Sequence, residues 1–570
     1  MIKKSFLQYS ILRLSIGLLI FGSGFKSYAQ KTEGQANTDA VVLKVDLSVK
    51  TGPMNPAWAW FGYDEPNYTY MKDGKKLLSE ISALSPVPVH IRTHNLLTSG
   101  DGTASLKWGS TNAYTEDKNG NPVYDWSITD KILDTFIERG IKPLVELGFM
   151  PEDLSTHPNP YRHNWPKTFA TGWAYPPKDY DKWADLVFNL TKHCIARYGQ
   201  KAVESWFWEV WNEPNIDYWK GSMEDYFKLY DYAAWAVKKA CPATTIGGPH
   251  TTSPRDDKAA FWLKSFIDHC MNGKNYKTGK IGSPLDYIGF HAKGSPKIVD
   301  GHVQMNINYQ LKDVSRGFEI VSSIPKAKNL PIIIGESDPE GCAACSMVQT
   351  PSNSYRNGTL YPSYEAAIFA RKYALADYFK VNFKGAVTWA FEYEDQPWFN
   401  GYRDLATNGI DKPVLNIFRM FGMMSGTRVA VSGGIYDINM MRDTGVKGVA
   451  PDINALASVD KNCVSVMVWN YSDNDLPANA SSVKVDVSGL VPSKVLVHEY
   501  RIDDKNSNSY EVWKKMGSPQ NPTPEQYKTL EEAGALKMFN SPSWENVKNG
   551  LVELSLNLPR QGISLFQLTW

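Results

Sequence analysis

Between residues 57 and 424 one unit recurs: a short, almost continuous apolar run, then a stretch with helical spacing. Eight runs can be read, AWAWFG (57–62), VPVHIRTH (87–94), KPLVELGF (142–149), SWFWEVWN (205–212), TTIGGP (244–249), YIGFHA (287–292), PIIIGE (331–336) and GAVTWAF (385–391). Helical stretches lie between them. In ITDKILDTFIERG, Ile128, Ile132, Leu133, Phe136 and Ile137 share one face and Gly140 ends the helix. YDKWADLVFNLTKHCIARYG ends the same way at Gly199, and segments around 226–240, 260–270, 309–324 and 364–379 complete the set. Strands that are apolar throughout, rather than alternating, imply a parallel sheet covered on both faces. Eight of them, separated by helices, predict a (β/α)8 TIM barrel. An open doubly wound sheet would show a glycine-rich nucleotide loop after its first strand, and FGYDEPNY is not one.

The texture changes at residue 425. VSVMVWNYS, SVKVDVSG, KVLVHEYRI, LVELSLNL and ISLFQLTW are short strands without helices between them, which predicts a C-terminal antiparallel β-sandwich over 425–570. A helical excursion, TPEQYKTLEEAGAL, interrupts it, and Val41 to Val49, within the N-terminal segment 30–56, is expected to add a strand to the same sandwich. Residues 1–29 combine a basic start, an apolar run and small residues before a cut after Ala29, the pattern of a secretory signal peptide. Export to the periplasm or beyond the cell is therefore expected, with no membrane association once that segment is removed. The net charge of +1 supplies no broad field for nucleic acid or an anionic bilayer. Aromatic residues reach 13%, with 19 Trp and 30 Tyr, which suits either a large core or a sugar-handling surface. The six cysteines make no scaffold. Cys342 and Cys345, in EGCAAC, are open to reading as a redox pair, half a metal site or a local loop disulfide; an oxidising compartment favours the disulfide, and no second CxxC supports zinc.

The barrel makes position informative, because catalytic groups in this fold sit at the C-terminal ends of strands. Glu213 falls just past the fourth strand, ahead of Pro214, and Glu336 ends the seventh. The fourth and seventh strands face one another across the barrel mouth. Either carboxylate alone could be structural, capping a helix or pairing with an arginine. Together they form the pair that glycoside hydrolysis needs, one protonated to assist the leaving oxygen and one ionised to attack. The tryptophans around Glu213 (Trp206, Trp208, Trp211 and Trp219) are expected to desolvate it and favour the neutral acid. Glu209, inside the strand, reads as structural, and Glu146, ending the third strand, is a weaker competitor.

WNEPN, at Trp211 to Asn215, resembles the acid/base motif of the large barrel clan of retaining glycosidases. Longer stretches are similar to glycoside hydrolase family 39, the family of β-xylosidases and α-L-iduronidase relatives. They are NGNPVYDWSITDKILDTFIERGIKPLVELGFMPEDL, FWEVWNEPNIDYW, IGFHAKGSPKIVDGHV, IIIGESDPEGC and the segment from YRIDDKNSNSYEVWKKMGSP to EEAGAL. The resemblance runs from about residue 55 to the C-terminus. It implies that Glu213 is the general acid/base and Glu336 the nucleophile of a retaining double displacement, with Asn212 holding the sugar 2-hydroxyl. It further implies that His94 and His291 face the sugar, that Trp389 floors the subsite by stacking, and that Glu392 or Glu394 binds a hydroxyl. No cofactor or metal is required, the partner is an oligosaccharide, and no oligomeric state is assigned.

One departure stands out. The family nucleophile commonly sits in a TEW or TEF setting, whereas this chain reads GESDPEGCAAC, so the rim after Glu336 is expected to be reshaped. The expected activity is exo-acting removal of a terminal sugar, β-D-xylose first, from plant polysaccharide fragments. α-L-Arabinose, galactose or a uronic acid is an alternative glycone, the last requiring a cation such as Lys293. In a different class, the chain would be a carbohydrate-binding protein without turnover.

Overall fold

The computed structural model describes residues 40–163, 170–342 and 344–570. The expected signal peptide lies outside the described residues. Seven of the apolar runs fall on strands of one parallel sheet, and the eighth, 385–391, overlaps its strand only at Gly385 and Ala386: β1 (Trp60–Tyr63), β2 (His90–Thr93), β3 (Lys142–Leu147), β4 (Phe207–Val210), β5 (Thr245–Thr251), β6 (Tyr287–Phe290), β7 (Pro331–Ile334) and β8 (Asn382–Ala386). They neighbour one another in chain order. The ring closes just beyond β8, where Thr388 bridges β1: its N–H donates to the Trp60 carbonyl at 2.9 Å and its own carbonyl accepts from Gly62 N–H at 3.0 Å.

The apolar sequence has the packing it implied. Every residue of β1 and of β6 is buried. Trp60, Leu144, Tyr287, Ile333, Val387 and Trp389 pack as a separate cluster, with Phe207 against it, while a much larger cluster contains residues of the surrounding helices such as Leu186, Phe266 and Phe318. The outer helices start and stop on local chemistry. Asp179 accepts from the amides of Asp181 and Lys182 to cap Tyr180–Tyr198, which ends at Gly199 with φ 91°. Ser222 and Asp225 form a capping box ahead of Met223–Ala240. Helix Lys72–Ser82 after β1, and Pro413–Gly422 after β8, are additional to the helical stretches read from the sequence; the first buries Leu77, Leu78 and Ile81 on one face.

Ten further strands form a second sheet system with its own core, built from residues such as Leu43, Val45, Val466, Val485, Leu554 and Phe566, and six more pair off as three two-stranded ribbons. The N-terminal strand Val41–Pro53 joins it, as expected from its alternating sequence. The sheet is not purely antiparallel, however. Val41–Asp46 runs parallel to Val483–Ser488 and antiparallel to Thr427–Ser432 on its other side. A strand linked to its neighbours only through the whole barrel is under no hairpin constraint, so either direction is open to it. Leu43 is fully buried in this core. Leu43→Ala should therefore cost about 2–5 kcal/mol, seen as a lower urea midpoint by tryptophan fluorescence. An unchanged midpoint would mean that the N-terminal strand is not integral to the sheet.

Candidate active site

The turn after β4 is built from backbone that ordinary residues avoid. Trp211 (φ 70°) and Glu213 (φ 47°) are both left-handed. Neighbouring strands hold them there: Trp211 N–H donates to the Leu147 carbonyl at 3.2 Å, and Glu213 N–H to the His250 carbonyl at 3.0 Å. Asn215 ties the following loop to the one after β5 through the Thr252 hydroxyl and amide, at 2.6 and 3.0 Å. The tryptophans do not wall the carboxylate as the sequence suggested. Trp208 donates its indole N–H to Thr244, Trp206 packs against Tyr198, and Trp211 lies edge-on to Phe149 and Trp219. What touches the Glu213 carboxylate is His291, whose Nδ1 lies 2.9 Å from Oε1.

Glu336 stands two residues beyond β7. Its carbonyl accepts from Ala292 N–H at 2.9 Å, and Ser337 N–H donates to the Val387 carbonyl at 2.8 Å, so the backbone is pinned on both sides. Oε1 accepts from Arg92 Nη1 at 3.2 Å and lies 3.4 Å from His94 Nε2, while Oε2 meets the Lys293 ammonium. One carboxylate oxygen from each glutamate and one nitrogen of His291 all fall within 4.8 Å of one another. That triplet is also a conceivable cation cage, but Arg92, His94 and Lys293 crowd Glu336 with positive charge that would repel a metal ion.

Arg92 organises the floor. Fully buried, it donates to Glu209 at 2.7 Å, to Asn212 Oδ1 at 2.9 Å and to Glu336, approaches Glu146 at 3.5 Å, and lies over the Trp389 ring at 4.8 Å. These contacts set the charges. Burial would push the Glu336 carboxyl up, but Lys293, His291 and His94 outweigh it and hold it well below the usual range. Burial likewise opposes the low value of Glu209, brought down to about 2 by Arg92 and His250. Glu146 goes the other way: burial pushes it up to about 8. His94 is raised to about 9 despite burial, by Glu146 and by Asp64 at 2.7 Å. His291 is lowered by burial.

The sequence-derived residues therefore divide. Glu213, Glu336, Asn212, His94 and His291 converge. Lys293 joins them on Glu336. Trp389 does not present a stacking face: it is fully enclosed, with Arg92 above it and His94 tilted against it at 4.6 Å, because the barrel interior leaves no open side at that depth. Glu392 and Glu394 make no contact with the pair among the described residues. Glu392 is buried and accepts from Gly409 N–H, and Glu394 accepts from Asp73 N–H at the start of helix Lys72–Ser82. Cys342 and Cys345 form a disulfide, and Arg356 gathers the carbonyls of both together with that of Gly401.

Sequence reasoning missed Arg92, Asp64, Lys107, His250 and Arg403. Arg92 carried a usable signal, since it lies two residues before His94 and shares its face of β2. Asp64 pairs with Lys107 at 2.6 Å and Arg403 with Asp338 at 2.7 Å, loop contacts that no periodicity announces.

Comparison with known proteins fits this geometry. A β-xylosidase of Caldicellulosiruptor saccharolyticus is 28% identical over 442 residues, covering 75% of this chain and 80% of that relative. A mouse α-L-iduronidase is 23% identical over 539 residues, covering 86% and 75%. The crystal structure of a monomeric β-xylosidase from Caulobacter crescentus shares the fold, with a TM-score of 0.72 at 23% identity over 93% of this chain and 99% of that one. The model of the glycosyl hydrolases family 39 matches residues 41–548, so this chain belongs to that family of retaining glycoside hydrolases.

Proposed function

We propose that the protein is an exo-acting retaining β-xylosidase in which Glu336 is the nucleophile and Glu213 the acid/base. The observation that carries this reading is the separation of the two carboxylates, whose nearest oxygens lie within 4.8 Å. Retaining enzymes hold their pair about 5–5.5 Å apart, whereas inverting ones leave about 6.5–9.5 Å for a water. The ionised Glu336 attacks the anomeric carbon as the bond to the leaving oxygen breaks and Glu213 gives that oxygen its proton. Glu213 then takes a proton from water, which attacks the same carbon and releases Glu336. With Oδ1 of Asn212 occupied by Arg92, its amide N–H groups remain to donate to the sugar 2-hydroxyl. The reading places catalysis within residues 57–424, treats 425–570 and the N-terminal strand as a supporting sandwich, and takes the enzyme to be exported on the strength of residues 1–29.

A second glycone, a uronic acid, is favoured by one observation: the Lys293 ammonium sits on Glu336 at the pocket, where a cation would also meet a sugar carboxylate. Aryl β-xyloside, α-L-arabinofuranoside, α-L-arabinopyranoside, β-galactoside and α-L-iduronide separate the readings. Xyloside hydrolysis with retained anomeric configuration by NMR, reduced about 10⁴-fold or more in Glu336→Ala, supports the first. Selective turnover of the iduronide would replace it with the second, and oligosaccharide binding with no turnover of any substrate would leave a binding protein. Glu213→Gln should slow phenyl glycosides about 10²–10⁴-fold while sparing those with strongly acidic leaving groups.

Lys293 also makes a pH prediction. It is the strongest influence lowering the Glu336 carboxyl. In Lys293→Met the nucleophile should ionise at higher pH, so the acidic limb of the kcat/KM profile moves toward neutrality. An unmoved limb would show that the limb does not report Glu336 ionisation under Lys293's influence.

A further inference from the structure

His250, at the end of β5, touches Glu213 directly and reaches Glu336 only through Glu209 and Arg92. Its backbone is left-handed (φ 51°) and the residue is fully buried. Its carbonyl receives the Glu213 N–H at 3.0 Å and so helps to hold Glu213 in its own left-handed turn. Its imidazole Nε2 lies 2.7 Å from Glu209 Oε2, and Glu209 is the carboxylate that takes the Arg92 Nε–H. Arg92 in turn holds Glu336 and Asn212. The Tyr287 hydroxyl, 3.3 Å from the same nitrogen, spends its proton on the Trp208 carbonyl.

The ring also explains two glycines. A Cβ at Gly289, two residues before His291, would lie 2.3 Å from Nε2, and one at Gly335, immediately before Glu336, 2.0 Å from Nδ1. The imidazole thus fills the space that side chains at those two positions would need, and β6 and β7 close directly against it. Burial lowers its pKa to about 4, and Nδ1 has no partner among the described residues. With its proton on Nε2 the neutral ring donates to the Tyr287 oxygen and stands 2.7 Å from Glu209 Oε2 as a close polar contact, leaving no buried N–H unpaired.

We propose that His250 is a positioning residue for glycoside cleavage: it sets the Glu213 turn through its carbonyl, and through Glu209 it keeps Arg92 shared between Glu336 and Asn212. The proposal rests on the assignment of Glu213 and Glu336 made above. Without the Nε2 contact, Glu209 draws the guanidinium toward itself, and Glu336 loses a hydrogen bond that fixes its angle of attack. A misplacement of about 1 Å at such a site costs about 10²-fold in rate.

Two variants test this. His250→Asn suits the left-handed backbone but its short amide cannot reach Glu209; His250→Gln carries an N–H donor to about the Nε2 position. On the aryl glycoside that the wild type cleaves fastest, the Asn variant should lose about 10²-fold in kcat, with KM changed by less than about threefold, and the Gln variant should recover at least about tenfold of that loss. Equal losses in both variants, a loss in KM alone, or a change under about threefold would overturn the proposal. Crystal structures of both variants give a reading that needs no substrate: the Arg92–Glu336 contact should lengthen beyond hydrogen-bonding distance in Asn and persist in Gln, and its persistence in both would overturn the proposal. If the wild type cleaves none of the five glycosides, the functional assignment fails and these structures alone decide the role of His250. Should the Asn variant not fold, His250→Met, of similar length and without a donor, takes its place.

Discussion

The active centre depends on one buried cation. Arg92 has no access to water, and a guanidinium in that setting is tolerable only if its donors are taken up by acceptors. Glu209, Asn212 and Glu336 take them, with Glu146 alongside. These partners come from the ends of β3, β4 and β7, so one side chain from β2 binds much of the barrel mouth into a single ionic object. Removing a partner from such a cluster is typically costly, about 3–5 kcal/mol, because it leaves charge buried and uncompensated. Position and charge are thereby coupled: the group that holds Glu336 in place also sets positive charge against it.

The site separates its carboxylates by environment rather than by residue type. Glu336 and Glu146 are both glutamates, both deeply buried, and both near Arg92 and His94. Lys293 and His291 weigh additionally on Glu336 and hold its carboxyl low, whereas Glu146 lacks that company, stands near Glu209 and Glu336, and is pushed up to about 8. His94 is raised to about 9 between Asp64 and Glu146, and His291 is lowered by burial beside Glu213. A pocket arranged this way holds the charge distribution of a double displacement before substrate arrives, which is where electrostatic catalysis draws its advantage.

The loop after Glu336 is held from several sides. Its disulfide closes a short turn, Arg356 collects three carbonyls beneath it, and Arg403 anchors Asp338 and the Glu340 carbonyl. Gly294 lies so close to this loop that a Cβ would fall 2.6 Å from the Pro339 carbonyl oxygen. The loop therefore packs against the segment that carries Lys293, and the rigidity of the rim and the placement of that ammonium are one feature.

Much of this was legible in the chain itself. Eight apolar runs determined a parallel barrel because strands covered on both faces leave no polar side, and the barrel determined that Glu213 and Glu336 share a rim because strand ends converge there. Alternation likewise marked Val41–Val49 as a sheet strand. What the linear pattern could not carry is contact between loops and the depth at which a side chain stops. Trp389 and Glu392 follow the last barrel strand, where a sugar contact is expected, yet the tertiary structure encloses both. His250 and Lys107 sit in stretches with no motif, yet they reach Glu209 and Asp64 because strands remote in sequence become neighbours. Hydrophobic periodicity is a local property and survives in one dimension, whereas the sharing of Arg92 and the ionisation of Glu336 are sums over groups that only the closed barrel brings within a few ångströms.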